Sequence, residues 1–315
     1  MTGLPKPTTP YASYQAFLHD VLDYGAKVPV RRHYVYYYGQ AAYEIEQSFQ
    51  DDVDPVKARE PVLKMVRGSS NLSCTGIVQL NMSRAYPVSP IEPERTSILR
   101  MGHLLHAEVY ARLESGMPQF MSALVESPVT FNMDWWPNDR TKTTAGGTID
   151  LVLMMSPLFL EAEEAKEWFA DPSMIPQKCV ADVKSCSTYL YPKYSKSSFE
   201  DPSLDLYGYV SQISLYSEEL GCTKNGGFLL FINRDRPGDT VAVSPISGER
   251  LQGEVLNMKN RFEQSQEGKT FFPEKAARYT FKEVGKLCGN ARKGEKGYCP
   301  HSETCMTLRA NRYEF

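Results

Sequence analysis

The run GGFLLFIN at 226–233 is apolar at nearly every position and too short for an ordinary helix, which suits a strand buried on both faces. Such a strand needs helices above and below it. Residues 96–113, with Ile98, Met101, Leu105 and Val109 at helical spacing, predict one helix. Residues 204–220 predict a second, and 249–266 a third that is mostly polar. Strands are expected at 128–131, at 147–154, around Asp182 and, as an edge, at 240–243. A polar, tryptophan-bearing connection at 134–144 reads as a hairpin loop between the first two. The order helix, strand, strand, strand, helix, strand describes an α/β fold, a mixed central sheet flanked by helices.

The remaining segments frame that core. Residues 1–67 read as helices and loops with a tyrosine cluster at 34–38, and 158–169 as an inserted short helix. Residues 189–203 form a loop rich in Tyr, Lys, Ser and Pro, suited to ordering on a polyanion. The expected organisation is an N-terminal helical region (1–95), a core (96–270) and a cysteine-rich C-terminal region (271–315). A length of 315 residues supports a substantial buried core, and a net charge of −3 gives no global sign of nucleic-acid binding, although 282–312 is locally basic. Without a leader or an apolar run of bilayer length, a cytoplasmic protein with no membrane contact is expected.

The stretch KCVADVKSCS places an aspartate and a lysine two apart on a strand that otherwise reads as buried. Strand side chains alternate, so Asp182 and Lys184 share one side while Ala181 and Val183 point the other way. Asp150, in GTIDLVL, lies on the preceding strand. Two carboxylates from adjacent strands can converge on one hard divalent cation such as Mg2+. Gln212 and Tyr216 are four apart on the second helix, on one face, with Tyr209 a turn earlier.

In order, His106 on the first helix, G-x-x-D ending at Asp150, D-x-K at Asp182 and Lys184, and Q-x-x-x-Y at Gln212 and Tyr216 resemble the RecB-type branch of the PD-(D/E)xK nucleases. Within that branch the pattern is most similar to the CRISPR-associated RecB-like exonucleases and their viral relatives. The resemblance spans roughly 74–305 and implies a restriction-endonuclease-like core. It implies that His106, Asp150, Asp182 and the backbone carbonyl of Val183 bind Mg2+ or Mn2+, that Asp150, Asp182 and Lys184 are catalytic, and that Gln212 and Tyr216 face substrate. The implied activity is a metal-dependent DNA exonuclease working on single-stranded or duplex ends, in recombination, repair, replication or CRISPR-like processing. Partners would be DNA and either a second copy or a helicase or recombination protein. The alternatives are a nuclease subunit of a helicase assembly and a non-catalytic DNA-binding or adaptor protein. Glu126, in ESPV, resembles a recurrent acid of the branch, with no role assigned.

Seven cysteines in an intracellular chain read as metal ligands or buried thiols rather than disulfides. Cys288, Cys299 and Cys305 are close enough to ligate zinc with His301, or an iron–sulfur cluster with a fourth cysteine from elsewhere. The resemblance implies the second, a 4Fe-4S cluster held by Cys74 ahead of the nuclease motifs and three cysteines behind them. Its subdomain would thus combine segments from before and after the core. The 288–299 gap is longer than the usual spacing. Cys179, Cys186 and Cys222 read as buried thiols.

Overall fold

The computed structural model describes residues 3–53, 93–131, 146–196, 199–200, 205, 208–266, 289–290 and 295–296. The elements that build the site run in the order α1 (Tyr14–Lys27), α2 (Arg31–Val53), α3 (Pro93–Gly116), β1 (Met121–Thr130), β2 (Gly146–Met155), α4 (Pro157–Glu161), α5 (Ala165–Trp168), β3 (Lys178–Cys186), α6 (Tyr191–Ser195), α7 (Tyr209–Glu219), β4 (Gly227–Asn233), β5 (Ala242–Ile246) and α8 (Gly248–Gln266). Strands β1 to β5 form one sheet in sequence order, antiparallel throughout except for the parallel pair β3–β4. A parallel neighbour requires a crossover, and the segment carrying α6 and α7 provides it.

Alternation along the strands sorts the core onto two faces. Cys179, Ala181 and Val183 of β3 and Phe228, Leu230 and Ile232 of β4 lie against α1 and α3. Val180, Cys186, Leu229 and Phe231 lie against α6, α7 and α8. As GGFLLFIN implied, β4 is buried at every position.

Helix α1 starts at Ser13, whose hydroxyl accepts the Ala16 N–H at 3.2 Å, and it buries Tyr14, Phe17, Leu18, Val21 and Leu22. Fully burying such a side chain contributes about 1.5–3 kcal/mol. At its end Gly25 meets α3 backbone to backbone: a Cβ there would lie 1.8 Å from the Arg112 carbonyl oxygen, and one on Gly116 would lie 1.9 Å from that of Val21. Any larger residue at either glycine would force α1 and α3 apart. Residues of α1 share the core beneath the sheet with α3 and β3.

Other expectations shift in detail. β1 begins seven residues earlier than expected, at Met121, because Glu126 and Pro128 interrupt its apolar alternation. The 158–169 insertion is two short helices, and the 189–203 loop contains α6, whose Tyr194 is buried against Phe231 at 4.6 Å between ring centroids. Helix α7 starts five residues late: Gly208 takes a left-handed φ of 75° and the Asp205 carboxylate accepts the N–H groups of Tyr209 (2.6 Å) and Val210 (3.2 Å). Among the described residues no helix is long and apolar enough to cross a membrane.

Candidate metal centre

The β2–β3 ladder runs from Met154 opposite Lys178 to Leu151 opposite Ala181 and stops. The next rung would set Asp150 against Asp182. On the other side of β2, the β1 ladder pairs Val125 with Leu151 and Ser127 with Ile149, and omits Glu126 and Asp150 between them. Glu126, Asp150 and Asp182 therefore occupy one row across three neighbouring strands, and both rungs that would join them are missing. Like charges set directly opposite on a sheet repel.

The backbone is distorted at this row. Glu126 has a φ of 47° and is the one non-glycine residue with positive φ among those described. That conformation is costly for a residue with a Cβ and clusters at functional sites. Both strands change faces there: Val125 and Leu151 contribute to the core under α1 and α3, whereas Val129 and Ile149 contribute to the core under α7. Where β2 and β3 part, the Asp150 carboxylate closes the gap by accepting the Val183 N–H at 2.8 Å.

Groups from both sides of the sheet meet at this opening. From α3, His106 Nδ1 lies 3.8 Å from Glu126 Oε1 and 3.8 Å from Asp150 Oδ2. Tyr110, one turn on, donates its hydroxyl to Glu126 at 2.6 Å and lies 3.2 Å from His106 Nδ1. From the α7 side, Lys184 Nζ lies 2.6 Å from Asp182 Oδ2, donates to Gln212 Oε1 at 3.3 Å and stands 5.3 Å from the centre of the Tyr209 ring. Asp182 and Lys184 thus share one small volume, while Ala181 and Val183 point into the opposite core.

These contacts offset part of the charge. Burial pushes the Asp182 carboxyl up despite the adjacent ammonium, with Asp150 adding to the rise. Burial also opposes the Lys184 ammonium, but Asp182 and Asp150 outweigh it and hold the amine protonated. For His106 burial is likewise outweighed, by Asp150 and Glu126, so its pKa rises. Glu126, against the cost of its own burial, is kept below the usual carboxylate range by His106 and Tyr110. Three acids are offset in part by one ammonium and one imidazole inclined to protonate.

The donor set suits a hard divalent cation. Ligand atoms of His106, Glu126 and Asp150 lie within 4.8 Å of one another. Asp182 is 1% exposed; its Oδ2 is paired with the Lys184 ammonium at 2.6 Å, and its Oδ1 has no hydrogen-bond partner. A buried carboxylate in that condition is expensive, and oxygen ligands with one imidazole are what Mg2+ or Mn2+ accept.

The remaining expected residues divide. Gln212 reaches the site through Lys184. Tyr216 does not face an open surface: it is 2% exposed, its ring stacks on Phe131 at 5.9 Å, and a Cβ on Gly147 would lie 2.6 Å from its hydroxyl. The ring takes a packing position, since helix spacing alone does not say which side of the shared face is covered. His103 pairs with Glu44 of α2 at 2.8 Å. Cys74, Cys288, Cys299, Cys305 and His301 lie outside the described residues. Cys179, Cys186 and Cys222 are buried free thiols. Tyr110 went unnoticed in the sequence, although its position four residues after His106 on one helix was a usable signal.

No family model and no curated protein matches the chain. A solved structure described as the crystal structure of SSO0001 is similar to it with a TM-score of 0.40 and 13% identity, covering 84% of this chain and 95% of that one. A likeness of that size carries no argument about activity.

Proposed function

We propose that this chain is a divalent-cation-dependent nuclease of the RecB-type PD-(D/E)xK branch, acting as a DNA exonuclease on single-stranded ends. The observation that supports this reading is the row Glu126, Asp150 and Asp182 across three strands, with His106 on one side and Lys184 on the other. The five-stranded mixed sheet is compatible with the restriction-endonuclease-like core that the reading requires.

His106, Asp150 and Asp182 would hold Mg2+ or Mn2+, with Glu126 beside them and the Val183 carbonyl on the strand edge whose N–H already meets Asp150. When bound, the cation supplies Lewis-acid polarisation of a phosphoryl oxygen and an acidified water. Lys184 sets a positive charge beside the acids, where it offsets the charge building on the phosphate and orients the attacking water. Gln212 holds that ammonium in place. Tyr110 fixes Glu126 and, through its hydroxyl, His106.

Cys74, Cys288, Cys299 and Cys305 are proposed to hold a 4Fe-4S cluster as a staple between early and late segments. This part rests on the resemblance of their pattern alone.

The test is incubation of end-labelled single-stranded DNA with purified protein in Mn2+, with EDTA and with Lys184→Ala. Mononucleotide or short products that require Mn2+ and vanish in the variant are expected. Intact DNA with wild-type protein under every divalent cation tried, or equal digestion by the variant, would refute the reading.

A further inference from the structure

Helix α2 presents an aromatic stripe whose rings connect to the candidate site. Tyr36 and Tyr43 are 64% and 61% exposed, far more than rings with a place in the core. Seven residues apart, they lie on one helix face two turns from each other. Between them are Gly39, where nothing stands within 4 Å of a Cβ position, and Gln40, exposed at the mouth of a cleft. Glycine weakens a helix interior relative to alanine, and here it leaves bare backbone between two rings. Arg32, exposed one turn before Tyr36, puts a cation at the end of the stripe.

A small cleft under Gln40, of about 20 Å³, is walled by Tyr37, Glu44, His103, His106 and Glu126 and lies between this face and the acids. The rings form a continuous series over the same span. Tyr36 meets Tyr37 edge to face at 5.0 Å, Tyr37 meets Tyr110 at 5.6 Å, and Tyr110 meets His106 at 5.9 Å. The outermost ring is thereby held in a set orientation relative to the site.

We infer that the α2 face receives unpaired nucleotides, with bases stacking on Tyr36 and Tyr43 over the bare backbone at Gly39, on the surface beside the cleft that His106 and Glu126 line. The inference rests on the nuclease reading and specifies its substrate: every base has a π face, whereas paired bases are already stacked on each other and gain nothing from a protein ring. Arg32 meets the backbone phosphate one turn outside the first ring.

The experiment compares wild type, the double variant Tyr36→Ala with Tyr43→Ala, and the pair of phenylalanine substitutions at the same positions. Binding of labelled oligothymidine and of blunt duplex is followed by fluorescence anisotropy in Ca2+, alongside Mn2+-dependent cleavage and sedimentation. Both rings are exposed, so the fold survives their loss. The alanine pair should bind oligothymidine at least about tenfold more weakly, with duplex affinity unchanged, and the phenylalanine pair should bind as wild type. Wild-type affinity in the alanine pair overturns the inference while cleavage by the parent protein leaves the nuclease reading standing. A parent protein that neither binds nor cuts DNA removes both. A dimeric parent whose alanine pair becomes monomeric, with DNA affinity unchanged, makes the face a contact between copies and also overturns the inference.

Discussion

Asp150 on β2 and Asp182 on β3 each lie one residue past the last paired rung, Leu151 and Ala181. Two acids placed there oppose folding unless something positive lies between them, and Lys184 reaches only the Asp182 side at ion-pair distance. A divalent cation should therefore stabilise the protein markedly. At a concentration roughly a hundredfold above its Kd, Mg2+ or Mn2+ should add about 2–3 kcal/mol, seen as a higher Tm. Asp182→Asn should lose most of that gain. Thermal unfolding with and without cation checks this, and a Tm indifferent to Mg2+ and Mn2+ would count against a cation site.

Tyr216 and Gly147 form a second dependent pair. Truncating the buried ring in Tyr216→Ala removes its stack with Phe131 and should cost about 3–5 kcal/mol. Gly147→Ala pushes a methyl group toward the phenol and should cost about 1–3 kcal/mol. Chemical denaturation measures both. If Tyr216→Ala keeps wild-type stability and loses DNA affinity instead, the ring belongs to the binding surface after all.

Asp205 ties the start of α7 to pH. Burial, with the nearby Glu254 carboxylate, pushes its pKa up to about 6 from 3.8, against the two N–H groups it accepts. An acid whose folded-state pKa is raised contributes stability that is fully present below about pH 4 and is lost as pH rises through about 6. Asp205→Asn never ionises and keeps an acceptor for the Tyr209 N–H. Whatever the offset at pH 4, the Tm difference should move in favour of the variant between pH 4 and 6, by the equivalent of roughly 2–3 kcal/mol, and then level off. A difference that is flat across that range would show that Asp205 titrates normally.

Much of this arrangement was legible beforehand because it follows from short-range rules. Alternation put Asp182 and Lys184 on one side, the apolar run at 226–233 marked the doubly covered strand, and the α3 pattern carried His106. What escaped depends on register and on tertiary cover. Glu126 stood out as an acid, but its alignment with Asp150 follows from hairpin pairing, and its positive φ is a backbone adjustment that no residue type announces. Tyr216 and Gln212 share a helix face, yet one packs on Phe131 and the other meets Lys184, a difference set by the sheet beneath them. The late start of α7 came from Gly208 and Asp205, a local cap that overrides the apolar spacing around it.

The proposed cluster predicts a division among cysteines. Cys74→Ala and Cys299→Ala should both lose iron and the broad absorbance of anaerobically purified protein, and both should melt earlier. Cys179→Ala should keep its iron, because that thiol is fully buried under the sheet. Iron analysis with ultraviolet–visible spectra decides it. Full iron in Cys74→Ala would remove that residue from the ligand set, and a colourless protein containing zinc would favour His301 as the fourth ligand.

The most direct test of the central claim uses Asp150, whose carboxylate both accepts the Val183 N–H and faces His106. Asp150→Asn keeps an acceptor for that N–H and removes the charge, whereas Asp150→Ala orphans the N–H and should cost about 1–3 kcal/mol of stability. The decisive measurement is the single-turnover rate of Mn2+-dependent cleavage of single-stranded DNA by wild type and by Asp150→Asn of matched Tm. A loss of at least about a hundredfold, equivalent to roughly 2.7 kcal/mol of barrier, is the predicted result. Cleavage by the asparagine variant at the wild-type rate would contradict the assignment of this row of acids to catalysis.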